Sequence, residues 1–153
     1  LVAFDYDGVF TDGVVYLLPD GSEVRTSHIR DGYAVVRAVQ AGLTLAVISG
    51  GKDPAVRTRL ERLGVAHVFL GVENKLEVLD ALRREAGLEW SAVGYCGDDL
   101  PDREALAAAG WSACPADAAP EIQAVVAEVA EQAGGRGFVR EVLESLLRAR
   151  GIW

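Results

Sequence analysis

Asp5 and Asp7 stand one residue apart at the end of an apolar run, and Asp98 and Asp99 adjoin at the end of another. Carboxylates so placed repel each other unless a cation lies between them. An oxygen donor set without histidine suits Mg²⁺, which favours octahedral oxygen ligation and keeps several waters. A carboxylate can also attack phosphorus directly, giving an acyl phosphate and dividing one hard displacement into two easier ones. That route needs a nucleophile, an acid for the leaving alcohol, a metal, and cations or N–H donors around the transferred oxygens. Asp5 or Asp7 can be the nucleophile and the other the acid; residue type and spacing do not rank them. Ser49 and the backbone N–H groups of Gly50 and Gly51 can hold phosphoryl oxygens, with Lys75 as counter-charge.

Residues this far apart need elements that carry them to one edge. Residues 1–6 (LVAFDY) read as a buried strand that leaves a parallel sheet on an acid. Residues 14–18 and 22–28 flank Pro19-Asp20-Gly21 and predict a β-hairpin. Asp31 reads as the N-cap of a helix over 33–41. Further strands are expected at 43–48, 65–70, 92–96 and 111–114, and further helices at 54–63, 74–86, 101–109, 120–132 and 137–150. Strand and helix alternate, which predicts an α/β fold: a three-layer, Rossmann-like parallel sheet with helices on both faces. Ligands bind beyond the carboxyl ends of such strands. There the segments after residues 4, 48 and 96 converge, and Lys75 opens the helix after the third strand.

The insertion at 14–28 is too small to be a domain, so residues 1–153 read as one domain with no large cap. A two-stranded ribbon is marginal alone and is expected to pack on another subunit or on the body of the fold. The net charge of -8, from 15 basic and 23 acidic side chains, argues against nucleic acid or an anionic membrane as partner. It leaves room for a small anionic substrate, because one metal and a few cations can reverse the local field. Cys96 and Cys114 fit neither a disulfide framework nor a zinc site. No leader or membrane-spanning run is visible, so the cytoplasm is the expected location. Gly50-Gly51 is not part of a nucleotide-binding signature.

The ordered set Asp5-x-Asp7-Gly8, Ser49, Lys75 and Gly97-Asp98-Asp99-x-x-Asp102 resembles the haloacid dehalogenase-like (HAD-like) superfamily of phosphohydrolases, over essentially the whole chain. The resemblance implies that Asp5 is the nucleophile and a metal ligand. It makes Asp7 the general acid, later the base that activates water, and a metal ligand through its carbonyl. Ser49 and Gly50 would bind the phosphoryl group, Lys75 would balance its charge, Asp98 would ligate Mg²⁺, and Asp99 would support the metal's waters or Lys75; Asp102, one turn into the following helix, reads either as an acid of the cap region or as a support for the site. Within the superfamily, Asp5–Gly13, Ile29–Tyr33 and Gly134–Glu141 resemble the capless 3-deoxy-D-manno-octulosonate 8-phosphate phosphatases of lipopolysaccharide biosynthesis. That implies a homotetramer whose hairpins associate and whose Gly-rich tails, here 134–153 with the last helix, reach a neighbour's active site. Tyr6, Gly51-Lys52 and Phe138 depart from the usual family residues, and Phe138 is expected to alter the substrate mouth.

Outside this set, Arg30 can hold a sugar carboxylate through its fork. Thr11, Asp12 and His28 are further candidates for substrate contact, as are Arg136 and Arg140 beside the Gly-rich segment. Each has a plain alternative as a capping, packing or solvated residue. Three other readings compete. One keeps the mechanism and changes the substrate to a nine-carbon 3-deoxy sugar acid 9-phosphate; one is a binding or regulatory domain without turnover, against which the intact acids count; one is a phosphorylated receiver, which would carry its phosphoacceptor on a later strand.

Overall fold

In the computed structural model, which describes residues 1–153, Val2, Phe4, Leu45 and Val47 face one apolar core while Ala3, Ala46 and Ile48 face another. Alternation with period two sends successive side chains to opposite faces, and both faces here are apolar. The strands β1 (Val2–Phe4) and β4 (Leu45–Ile48) are therefore interior strands of a covered sheet. The chain runs β1, β2 (Tyr16–Leu17), β3 (Glu23–Val24), α1 (Ile29–Gln40), β4, α2 (Pro54–Arg62), β5 (His67–Phe69) and α3 (Lys75–Glu85). It continues through β6 (Gly94–Cys96), α4 (Arg103–Ala108), β7 (Trp111–Cys114), α5 (Pro120–Gln123), β8 (Glu128–Val129) and α6 (Phe138–Ala149).

Six strands form one parallel sheet in the order β5-β4-β1-β6-β7-β8. Residues of α1, α2 and α6 fill the core on one face, and residues of α3, α4 and α5 that on the other. The fold is thus a three-layer α/β sheet with a small antiparallel β2-β3 hairpin and no large cap domain. The hairpin leaves Val14, Val15, Tyr16, Leu17, Leu18 and Val24 exposed. No helix is long and apolar enough to cross a membrane.

Three local expectations are corrected. Asp31 is not the cap of α1, which starts two residues earlier behind His28. It is buried in the first turn, and its Oδ1 accepts a hydrogen bond from the Arg140 N–H, 2.9 Å away, in the first turn of α6. Gly137 precedes α6 and has no side chain to cap it, so the acid of a neighbouring helix does so. The helix expected over 120–132 stops at Gln123. Beyond it, Ala127 N–H donates to Ser112 Oγ and Ala130 N–H to the Cys114 carbonyl, so the segment pairs with the open edge of β7 as β8. Satisfying that edge outweighs local helix preference in a segment rich in valine. Residues 134–137 pack against the loop after β1 of the same chain. Gly135 N–H donates to the Val9 carbonyl, and a methyl group on Gly134 would overlap the Gly8 carbonyl. Finally, Phe138 is fully buried in the core beneath α6, which removes it from any substrate mouth.

Replacing Asp31 with alanine should lower stability by about 1–2 kcal/mol through loss of the α6 cap. Chemical denaturation reads this directly, and an unchanged midpoint would show that Asp31 does not serve α6.

Candidate active site

β1 ends at Phe4, and the Asp5 N–H donates to the Cys96 carbonyl at 2.8 Å, which fixes the acid at the sheet's carboxyl edge. Lys75 is the first residue of α3, whose N-cap Asn74 accepts from the Glu77 N–H. Its side chain, only 5 % exposed, reaches Asp5 Oδ1 at 2.9 Å and Asp102 Oδ1 at 2.7 Å. Tyr95 OH donates to Asp102 Oδ1 at 2.8 Å, and the Asp98 and Asp99 N–H groups donate to Asp102 Oδ2 at 3.1 and 3.4 Å. Both Asp102 oxygens are thereby occupied by four donors. Asp102 organises the turn; it has no lone pair to spare.

Asp7 lies on the other side of the loop. Its Oδ1 accepts from Arg25 Nε at 3.0 Å and from Thr11 Oγ1 at 3.4 Å. Thr11 Oγ1 also accepts from the Gly8 and Gly13 N–H groups, so this buried threonine clasps the loop from within. Ser49 Oγ accepts from the Gly51 N–H at 3.1 Å, closing a tight turn after β4. A Cβ on Gly51 would stand 3.4 Å from both Asp7 Oδ2 and Ser49 Oγ, so the second Asp7 oxygen faces the Ser49–Gly51 turn. Gly8, at φ +80°, lets the loop pass so near Asp98 that any side chain there would overlap its carboxylate.

Charge sets the character of this pocket. Carboxylate oxygens of Asp5, Asp98 and Asp102 lie within 4.8 Å of one another, and only one ammonium answers them. Burial and then the Asp102 charge raise Asp5 to about 7, outweighing Lys75. Burial, then Asp102 and Asp99, raise Asp98 to about 7 as well. Burial works to lower Lys75, but the Asp5 and Asp102 charges prevail and hold it above its ordinary value. Asp98 Oδ1 is buried without a hydrogen-bond partner. An orphaned carboxylate oxygen facing two further acids fits a hard divalent cation, and Mg²⁺ is the cofactor that this oxygen-only set suits. Asp5 and Asp98 have oxygens to offer it.

Asp5, Ser49, Lys75, Asp98 and Asp102 thus sit at one edge of the sheet, as the sequence suggests. Asp99 does not reach Lys75. Its carboxylate accepts from the Leu100 N–H and caps a 3-10 turn over Leu100–Asp102, so the lysine's support comes from Asp102. Asp12 is paired with Arg136 at 3.1 Å and holds the Val14 N–H. His28, Arg30, Arg136 and Arg140 converge on a different polar cavity of about 610 Å³ beside α6, which none of the catalytic candidates lines. Two residues escape sequence reasoning. Tyr95 reads as a strand residue, and Arg25 reaches Asp7 only because the hairpin folds back across the loop.

Fold and site together define a metal-dependent phosphatase of the haloacid dehalogenase-like class. No family model matches the chain. The 3-deoxy-D-manno-octulosonate 8-phosphate phosphatases of Salmonella typhi and Escherichia coli K12 are each 37 % identical to it over 151 residues, covering 99 % of this chain and 80 % of theirs. The Moraxella catarrhalis enzyme of that name, solved with a magnesium ion, a phosphate ion and a KDO molecule, superposes with a TM-score of 0.95 at 34 % identity, covering 99 % of this chain and 87 % of that one. The cobalt-bound Haemophilus influenzae enzyme superposes at 0.93 and 35 % identity, covering 98 % and 88 %. The chain belongs to the 3-deoxy-D-manno-octulosonate 8-phosphate phosphatase family.

The raised acids give a signed prediction. In metal-free protein Asp5 and Asp98 stay protonated up to about pH 7, whereas unfolded aspartate ionises near pH 4. Their stability contribution is therefore complete below about pH 4 and disappears as pH rises through about 7. The melting temperature of chelated protein should fall between pH 5 and pH 8, and Mg²⁺, which selects the ionised acids, should raise it more at pH 8. An equal Mg²⁺ shift at both pH values would contradict the assignment.

Proposed function

We propose that the chain hydrolyses 3-deoxy-D-manno-octulosonate 8-phosphate to 3-deoxy-D-manno-octulosonate and phosphate through an aspartyl phosphate on Asp5. One observation carries the choice between the two acids. Asp5 is held by the buried Lys75 at the strand end, whereas Asp7 is more open and aims Oδ2 at the Ser49–Gly51 turn. A nucleophile needs fixed aim beside a cation, and a proton carrier needs one free oxygen near the leaving group. The names of the relatives supply the substrate.

Asp5 attacks phosphorus as the bond to the sugar oxygen breaks, and Asp7 gives that oxygen a proton. Asp7, now a base, takes a proton from water. The oxygen so freed attacks the aspartyl phosphate, the bond to Asp5 breaks, and phosphate departs. Ser49 Oγ and the Gly50 N–H hold phosphoryl oxygens, and Lys75 balances charge on Asp5 as it changes. The carboxylates of Asp5 and Asp98 and the Asp7 carbonyl would hold Mg²⁺, which would supply charge neutralisation at the phosphoryl group.

Residues 1–153 act as one domain on this reading, with 14–28 inserted and 134–153 closing the fold. The exposed apolar hairpin supports association of copies through β2 and β3, read as a homotetramer, and the cytoplasm stays the proposed location.

Phosphate release should require Mg²⁺ and favour the eight-carbon 8-phosphate over the nine-carbon 9-phosphate analogue. Preference for the longer sugar would move the substrate and keep the mechanism; release under chelation would contradict the mechanism. Asp5→Asn should lower kcat by about a thousand-fold or more while the fold persists, and near-normal turnover would remove Asp5 from the nucleophile's role.

A further inference from the structure

Arg25 lies one residue beyond β3, on the return of the hairpin, and its side chain is only 16 % exposed. Its guanidinium divides between two acids: Nε meets Asp7 Oδ1 and Nη2 meets Glu23 Oε2, each at 3.0 Å. Thr11 Oγ1 joins it on the same Asp7 oxygen. The two Asp7 oxygens are therefore unequal. Oδ1 is occupied, while Oδ2 is left towards Ser49 and Gly51. Arg25 Nε and Thr11 Oγ1 hold Oδ1 from two directions, while the rigid guanidinium plane, tied to Glu23 by its other arm, fixes where that nitrogen stands, which a flexible ammonium does not do.

We propose that Arg25 is a positioning residue for the leaving-group step. It orients Asp7 so that Oδ2 meets the sugar oxygen, and it couples that orientation to the seating of the hairpin. The proposal rests on the reading of Asp7 as general acid. Glu23, exposed on the hairpin itself, holds the other arm of the guanidinium, so a shift of β3 moves Asp7 as well. No substrate contact by Arg25 is required.

The test is a series of phosphate monoesters whose leaving groups span a wide pKa range, with kcat/KM measured for each. This parameter covers steps up to departure of the leaving group, so it reads proton donation without the later hydrolysis. In Arg25→Ala the loss should grow with leaving-group pKa. It should reach about ten-fold or more for an alkyl ester, a fraction of the 10²–10⁴ that a general acid contributes, and stay near two-fold for an activated aryl ester. Arg25→Lys, which keeps the charge and loses the fork, should fall between. In the double variant Arg25→Ala/Asp7→Asn the arginine change should add almost nothing to the Asp7→Asn loss, because both act at one carboxylate. The same fractional loss for every ester, or full additivity in the double variant, would overturn the positioning role. Asp7→Asn alone separates the two claims. If it leaves the leaving-group dependence of wild type unchanged, the general-acid reading fails; if it steepens that dependence and Arg25→Ala does not, only the positioning role fails.

Discussion

A lysine ammonium buried between two carboxylates is the interaction on which this site depends. Lys75 meets Asp5 and Asp102 within 3 Å in a setting almost closed to water. Placing any one of these charges there alone would be costly, and removing one partner from such an arrangement typically costs about 3–5 kcal/mol. Pairing makes the cost bearable, but the balance is incomplete. Asp98 brings a third acid with an unsatisfied oxygen, and once Asp5 and Asp98 ionise the site carries excess negative charge at the point where a phosphate must arrive. The divalent cation resolves both difficulties, since it answers the excess acid and gives an anionic substrate a reason to approach a protein of net charge -8.

Rigidity around the lysine comes from the backbone. Asp102 takes the Asp98 and Asp99 N–H groups on one oxygen and Lys75 and Tyr95 on the other. One side chain therefore sets the turn after β6 and the direction of the lysine from α3. The opposite wall is softer. Asp7 depends on a threonine inside its own loop and an arginine borrowed from a hairpin whose strands have two residues each. The rigid side carries the residue proposed to attack, and the adaptable side the residue proposed to move a proton. Gly134 and Gly135 brace this loop from behind by packing on Gly8, Thr11 and Asp12.

Much of this was legible in the residues. Short apolar runs ending in Asp5, Ser49 and Gly97 announce parallel strands, and a parallel sheet necessarily brings its carboxyl ends to one edge. Lys75 could be added because it opens the helix after the next strand. What remained hidden depended on side-chain direction or on distant pairing. Asp102 looked like one more acid near a helix start, and only the 3-10 turn aims it inward. Asp31 before a glycine had every sign of a cap, but the helix it caps lies about a hundred residues away, with its bond to Arg140 spanning 109 positions. Residues 124–132 carry helical periodicity, yet the unpaired edge of β7 took part of them as β8. Arg25 had no signal at all, because its partner is fixed by how the hairpin folds back.

The central claim is that the phosphoryl group passes through Asp5. It can be tested by giving radiolabelled aryl phosphate to the Asp7→Asn variant, quenching with acid and mapping the label on the protein. The aryl leaving group needs little help from a proton donor, while hydrolysis of the intermediate is slowed, so labelled protein should accumulate. The account predicts label on the peptide that contains Asp5, and none when Asp5 is also replaced by asparagine. Label on any other residue, or rapid turnover with no labelled protein, would contradict it.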